Sequence, residues 1–267
     1  MTALAVSAPA IELLAGHAIL GVRVDATSIE DASVRVLDWA RRRESRAVLH
    51  ANVHMVMEAR DQPGFRAVVN MADLVTPDGV PLVWVLRRLG FPGQGRVYGP
   101  DLMVELCRRA AATGVPVGFF GGAPDVLAAL LVNLRRRFPG LAVAFAESPP
   151  FRPLSVEEDA AIAERVHASG TRILFVGLGC PKQERWIAGQ RGRLPAVMLG
   201  AGAAFDFHAG MVRQAPRWLQ TAGLEWAFRL AMEPRRLWRR YARHNPRFTV
   251  LMLLELAGMR GSRRDAR

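Results

Sequence analysis

From residue 46 onward the chain alternates short, mainly apolar runs with longer amphipathic stretches. The runs Ala47–Val53, Leu74–Thr76, Val115–Phe120, Leu141–Phe145, Ile173–Gly177 and Ala196–Gly200 have strand length and read as strands buried on both faces. Between them, apolar positions recur at helical spacing near 54–70, 79–89, 100–113, 124–138, 156–169 and 181–191. Strand alternating with helix predicts an α/β fold: a Rossmann-like, mostly parallel sheet covered by helices on both faces. Ahead of it, His17–Asp25 reads as one extended segment. Thr27 with Glu30 reads as a capping box that opens a helix to about Arg42, and Ser155 with Glu158 as a second one. Beyond Gly210 the pattern changes. Trp218–Met232, Pro234–His244 and Arg247–Gly258 read as three helices with no strand between them, divided at Pro234 and Pro246. The predicted organisation is an α/β domain over 1–210 and a helical C-terminal appendage over 211–267.

Composition narrows the class. A 51% hydrophobic content over 267 residues excludes a disordered chain, and two cysteines, Cys107 and Cys180, exclude a disulfide framework or a zinc ribbon. No uncharged apolar run reaches the length of a membrane span. The first residues lack a basic stretch and carry Glu12, which reads as a cytoplasmic chain. The net charge of +12 is unevenly placed: residues 211–267 hold 13 Arg against Glu225, Glu233, Glu255 and Asp265, a net of +9. Such a basic end seeks phosphates, whether of nucleic acid, lipid or nucleotide.

Polar and glycine-rich residues gather where the predicted strands end, at His50-Ala51-Asn52, Thr76-Pro77-Asp78-Gly79, Gly121-Gly122, Gly177-Leu178-Gly179 and Gly200-Ala201-Gly202. That edge is where parallel sheets bind ligands. Asp78 is open to two readings, a helix N-cap or a general base. His50 and His54 have the spacing of a metal pair only on a helix, and His50 falls in a strand; no third ligand beyond a distant His208 is apparent, so no metal is expected. Cys180 has no neighbour in sequence to activate it and reads as a small loop residue. Lys182 and Gln183 open a helix at a strand end, where they could donate to a phosphate or a sugar hydroxyl. The acidic run Glu157-Glu158-Asp159 reads as helix capping, which leaves no Asp-x-Asp on a loop.

With these residues in view, the chain resembles the WecG/TagA/CpsF family of bacterial glycosyltransferases from about His17 to Gly258. The stretches that carry the resemblance are Asn52, Ala72-Asp73 through Pro77-Asp78-Gly79, Arg96-Val97-Tyr98-Gly99-Pro100-Asp101-Leu102, Gly179-Cys180-Pro181-Lys182-Gln183-Glu184 and Gly200-Ala201-Gly202-Ala203-Ala204-Phe205-Asp206-Phe207. Ala215-Pro216, Leu224-Glu225-Trp226, Arg229-Leu230 and Glu233-Pro234-Arg235-Arg236-Leu237-Trp238-Arg239-Arg240-Tyr241 complete it. The resemblance implies an inverting transferase, without cofactor, that moves a sugar of N-acetylmannosamine or glucose type from a UDP-sugar to a polyprenyl-diphosphate-linked sugar. It places Asp78 as the base, Asn52, Arg96 and Gln183 in the site, and C-terminal arginines at the diphosphate, with Arg229, Arg236 and Arg239 expected there and Arg235 and Arg240 as further candidates; His50 and Asp206 are also expected at the substrates. Two departures from the family pattern stand out. His50 occupies a position where the family often has Thr, and Gln214 one where it usually has Arg, leaving Arg213 or Arg217 as substitutes. Arginine can replace a metal at a diphosphate because it donates bidentately to phosphate oxygens.

Two rival classes remain in view. A nucleotide-binding regulator or redox protein would want an intact GxGxxG with an acid about 20 residues on, which is missing. A nucleic-acid binder would suit the basic, aromatic tail, but the segment Arg247–Gly258 is apolar after its first residue, which suits an anionic membrane surface better. The predicted partners are therefore a UDP-sugar, a lipid-linked acceptor and the inner membrane face. Arg243 and Arg247 are expected at the membrane, nucleic acid is not expected, and self-association is left open.

Overall fold

The computed structural model describes residues 14–265, with side chains as far as residue 258. It begins with a small antiparallel hairpin, β1 (Gly16–Ile19) and β2 (Val22–Asp25), where the sequence pattern suggests one extended segment. Leu20 and Gly21 make the turn, with φ of 50° and 84°. Two central residues at positive φ match the twist of a two-residue hairpin, and Leu20 gives no sign of it because leucine seldom adopts that conformation. Helix α1 (Ile29–Arg41) is capped by Ser28, whose side chain accepts from Asp31 N, and not by the Thr27–Glu30 box. Thr27 instead donates its hydroxyl to the Asp31 carboxylate at 2.6 Å.

Then come β3 (Arg46–Ala51), α2 (Val53–Asp61), α3 (Pro63–Asn70), β4 (Leu74–Pro77), α4 (Val80–Arg88), α5 (Gly99–Thr113), β5 (Val117–Gly121) and α6 (Pro124–Arg137). They are followed by β6 (Val143–Glu147), α7 (Val156–Ala168), β7 (Ile173–Gly177), α8 (Lys182–Gln190), β8 (Val197–Gly200) and the short α9 (Ala204–Ala209). The helical stretch near 54–70 is two helices because Pro63 starts α3 and Gln62, with ψ 96°, has already left the helical region. The Ser155–Glu158 capping box is formed.

The six strands β3 to β8 form one sheet in the order β4-β3-β8-β7-β5-β6, all parallel. Neighbouring residues on a strand point to opposite faces: Phe120 joins a core with Met57, Phe65, Ile187 and Met198, while Phe119 joins one with Trp39, Leu102, Phe175 and Phe205. The protein is thus an α/β fold with a doubly covered, Rossmann-like parallel sheet.

After α9 the chain forms α10 (Arg217–Thr221), α11 (Glu225–Met232) and α12 (Pro234–Asp265). Pro234 divides helices as the pattern suggests, but Pro246 lies inside α12. A proline forfeits one backbone hydrogen bond. Phe248 and Met252, just beyond it, are buried in the first core against the elements beneath, which holds the helix on course. No helix among the described residues is long and apolar enough to cross a membrane.

The β5 and β7 ends meet where a side chain cannot fit. Gly121 has φ 117°, and a Cβ there would lie 2.5 Å from the Gly177 carbonyl, whereas Gly114, the C-cap of α5 at φ 67°, has open space around it. We therefore expect Gly114→Ala to cost about 1 kcal/mol, from backbone strain alone, and Gly121→Ala about 3 kcal/mol or more, because the strand ends must part. Denaturant unfolding of the two variants checks the difference, and equal costs would contradict it.

Candidate active site

The loops at the carboxyl edge of the sheet build the site. Those after β3 and β4 carry Asn52 and Asp78, and they are tied together because the N–H groups of Asp78 and Gly79 both donate to Ala51 O, at 2.9 and 3.0 Å. A Cβ on Gly79 would sit 3.1 Å from Asn52 Cα, so glycine permits this approach. The adjacent strands β3 and β8 send their helices, α2 and α9, to opposite faces of the sheet. Such divergence opens a crevice. Here it is a cavity of about 1240 Å³, lined also by residues of α11 and α12. That exceeds the roughly 300–1,000 Å³ of an ordinary small-ligand site.

Asp78 lies at this crevice and does not cap α4: the N-cap position is Gly79, and no side chain caps the helix. Of its two sequence readings the cap is therefore excluded. Asp78 Oδ1 accepts from Arg96 Nη2 at 3.0 Å, and Arg96 Nε donates to the Asp78 carbonyl. The Arg96 guanidinium lies over the Tyr98 ring, 3.9 Å from its centroid. Its remaining nitrogen, Nη1, donates to Glu225 Oε2 at 2.7 Å, and the Tyr98 hydroxyl donates to Glu225 Oε1 at 3.0 Å. Burial pushes the Asp78 carboxyl up to about 6, opposed by Arg96 and assisted by Glu225. Glu225 and Tyr98 belong to the stretches Leu224-Glu225-Trp226 and Arg96-Val97-Tyr98-Gly99, but nothing local to either gives it a site role.

His50 is buried in β3 beside Asp78. Its Nδ1 is 2.7 Å from Thr76 Oγ1, and burial lowers its pKa to about 4, so the ring is neutral near pH 7. Gly99 lies against both residues: a Cβ there would be 3.1 Å from the His50 ring and 3.7 Å from Asp78 Oδ2. Asn52 lines the cavity and also caps α2, its Oδ1 accepting from Met55 N at 3.1 Å. Gln183 lines the cavity as a strut: its Oε1 accepts from Gly179 N and Gly202 N, each at 3.2 Å, tying together the loops after β7 and β8. Its Nε2 donates to Glu184 Oε1 at 2.8 Å. The Cys180 thiol is pushed up by burial and hydrogen-bonds the buried Glu184 carboxylate, which disfavours the thiolate.

The C-terminal arginines divide by position. Arg229 and Arg236 reach the cavity wall together with Asp206, whose carboxyl burial raises. Arg239 does not; its guanidinium lies over the Trp238 ring, and Arg240 lines the cavity in its place. Arg235 is exposed and outside the cavity wall. Neither Arg213 nor Arg217 replaces the missing arginine at Gln214, since neither lines the cavity and Arg217 pairs with Asp101 at 2.6 Å. Arg243 and Arg247, expected at a membrane, pair with Asp61 of α2 at 3.3 and 2.8 Å.

His54, Glu58 and His244 each place a ligand atom within 4.8 Å of the others, a juxtaposition the sequence does not suggest because His244 comes from α12. Two imidazoles and a carboxylate can hold zinc. Burial and the charges of Arg240 and His244 lower His54 to about 3. Burial also lowers His244, around which the carboxylates of Glu58 and Asp61 offset Arg243 and Arg247. In the structure the group docks α12 on α2, with His244 Nε2 3.3 Å from Glu58 Oε1. His208 is elsewhere, its Nε2 2.9 Å from Pro100 O.

The site is thus the open edge of a parallel sheet with an acid on a strand-end loop and arginines among the residues lining the same cavity. The chain matches the glycosyl transferase WecG/TagA/CpsF family over residues 17–262 and belongs to that family. It is also 35% identical, over 194 residues, to the N-acetylglucosaminyldiphosphoundecaprenol N-acetyl-beta-D-mannosaminyltransferase of Bacillus spizizenii, covering 72% of this chain and 73% of that protein.

The raised Asp78 pKa has a consequence for stability. A carboxyl harder to ionise in the folded than in the unfolded chain adds stability below its ordinary value of 3.8 and loses it as pH rises through about 6. Asp78→Asn should therefore gain on the wild type between about pH 4 and about pH 8, by on the order of 3 kcal/mol, for a side chain 15% exposed. Melting curves across that range test it; a gap that narrows with rising pH would contradict the assignment.

Proposed function

We propose that this protein is an inverting, metal-independent glycosyltransferase. It moves N-acetylmannosamine or a closely related hexose from a UDP-sugar to the terminal sugar of a polyprenyl-diphosphate carrier, at the inner face of the cell membrane. The observation that carries the reading is that Asp78 lines one large cavity together with Arg229, Arg236 and Arg240, Arg236 also pairing with Glu233 at 2.5 Å. Asp78 takes the proton from the acceptor hydroxyl as its oxygen bonds to the anomeric carbon, and the bond from that carbon to the UDP oxygen breaks. One base on the acceptor and a leaving group held by the arginines give a single displacement, which inverts the anomeric centre. The arginines speed transfer to the extent that their bonds tighten as charge grows on the departing diphosphate. The name of the Bacillus spizizenii relative supports both the N-acetylmannosaminyl group and the N-acetylglucosaminyl-diphosphate acceptor for this chain.

For the carrier lipid we infer an appendage over 211–267 that docks on the membrane. Trp218, Trp238, Val250 and Leu254 are exposed there, in a segment of net charge +9. Each cation near an anionic leaflet contributes about 1 kcal/mol, which suits reversible, salt-sensitive docking. Replacing both Val250 and Leu254 by Glu should abolish binding to anionic liposomes and leave turnover of a short-chain, soluble acceptor within about threefold of wild type. Undiminished liposome binding would refute the docking role.

Asp78→Asn should lower turnover on the order of 10²–10⁴-fold with little change in UDP-sugar affinity. Wild-type turnover should rise with pH through about 6, as Asp78 ionises. Mass spectrometry of products from a panel of UDP-sugars with a lipid-diphosphate-sugar acceptor reads both outcomes, and near-wild-type turnover of the folded variant removes Asp78 as the base. Excess EDTA should leave transfer intact. Loss on chelation, restored by Mg²⁺ or Mn²⁺, would show that arginines do not stand in for a metal here.

A further inference from the structure

Glu225 opens α11 and is one of four acids in the strongly basic stretch 211–267. Its side chain is 12% exposed and turns inward, away from the solvated arginines of that stretch. One of its oxygens accepts from Arg96 and the other from the Tyr98 hydroxyl. Arg96 is thereby divided between two carboxylates, Asp78 and Glu225, which lie far apart in the chain. Among the described residues, Tyr98, Arg229 of α11 and the buried His50 ring of β3, which is neutral near pH 7, also lie near Asp78.

Removing Glu225 from this arrangement would leave a largely buried guanidinium with one carboxylate partner. The full charge of Arg96 would then favour the ionised form of Asp78, and a carboxylate held in an undivided ion pair is a weak proton acceptor. With Glu225 in place, Arg96 is already neutralised and engages only Oδ1 of the Asp78 carboxylate. We propose that Glu225 is a positioning residue for the transfer reaction: by sharing Arg96 it keeps Asp78 basic, and because it sits on α11 it links that basicity to the seating of the C-terminal segment over the cavity. The proposal rests on Asp78 being the base.

The test compares Glu225→Gln, which removes the charge at constant size, with Glu225→Asp, which keeps the charge one methylene further back. The Asp78 carboxyl is followed by carbon-detected NMR titration, which needs no substrate, and turnover is measured against pH. In Glu225→Gln the Asp78 titration should fall by roughly one pH unit, the acid limb of the turnover profile should move with it, and the plateau should drop on the order of 10-fold. The KM for the UDP-sugar should stay within about threefold. Glu225→Asp should keep the titration near wild type and recover most of the turnover. An unmoved Asp78 titration in folded Glu225→Gln overturns the proposal. So does equal behaviour of the two variants, which would mean that shape and not charge is what matters. If Glu225→Gln does not fold, an Asp78 titration in Glu225→Asp displaced as far as one pH unit overturns it as well. Wild-type protein that transfers no sugar refutes the transferase reading, while the titration still decides whether Glu225 sets the basicity of Asp78.

Discussion

A buried guanidinium shared by two carboxylates organises this site. Arg96 draws the loop after β4, the start of α5 and the start of α11 to one point, through Asp78, Tyr98 and Glu225. A buried charge is costly unless it is paired and hydrogen-bonded. Without α11 the Arg96 guanidinium would keep only Asp78 as a carboxylate partner, and the Tyr98 hydroxyl would lose its acceptor. The glycines follow from the same constraint. Gly79 and Gly99 stand where a methyl group would strike Asn52 or His50, the residues packed around Asp78.

The C-terminal segment is the other half of the arrangement. Its net charge of +9 is one quantity in the composition but serves three ends in the fold. Arg229, Arg236 and Arg240 face the cavity. Arg243 and Arg247, with His244, clamp α12 to Asp61 and Glu58 of α2. Others, such as Arg235 and Arg239, remain at the surface. The clamp is also mechanical, since Phe248 and Met252 enter the core beneath it. The C-terminal segment is thus packed on the α/β domain, and Glu225 joins the two through its bonds to Arg96 and Tyr98.

Several residues that the WecG/TagA/CpsF resemblance places at the substrates line the cavity while serving the fold. Gln183 lines the cavity but uses its carbonyl oxygen to tie two loops. Asn52 both lines the cavity and caps α2. Residues of this kind hold the loops around Asp78 in place, with the Gln183 amide and the Asn52 Oδ1 engaged in those internal bonds.

The sequence by itself determined the alternation of the six sheet strands with helices, the edge of the sheet where polar and glycine-rich loops gather, and the place of Asp78 on that edge. Each of these depends on local periods and on loop residues that follow directly after strands. Boundaries set by a single dihedral, such as the positive φ of Leu20 or the break at Gln62, lay below what periodicity resolves. Only the tertiary structure decided that Asp78 caps nothing, that Arg240 and not Arg239 faces the cavity, and that α12 runs through Pro246. The phase of a helix and the continuation of one past proline depend on what it packs against. It alone brought Glu225 to Arg96 across 129 residues. No local pattern encodes that pair, because its energy comes from burying both charges at a single place between elements that only the complete fold makes neighbours.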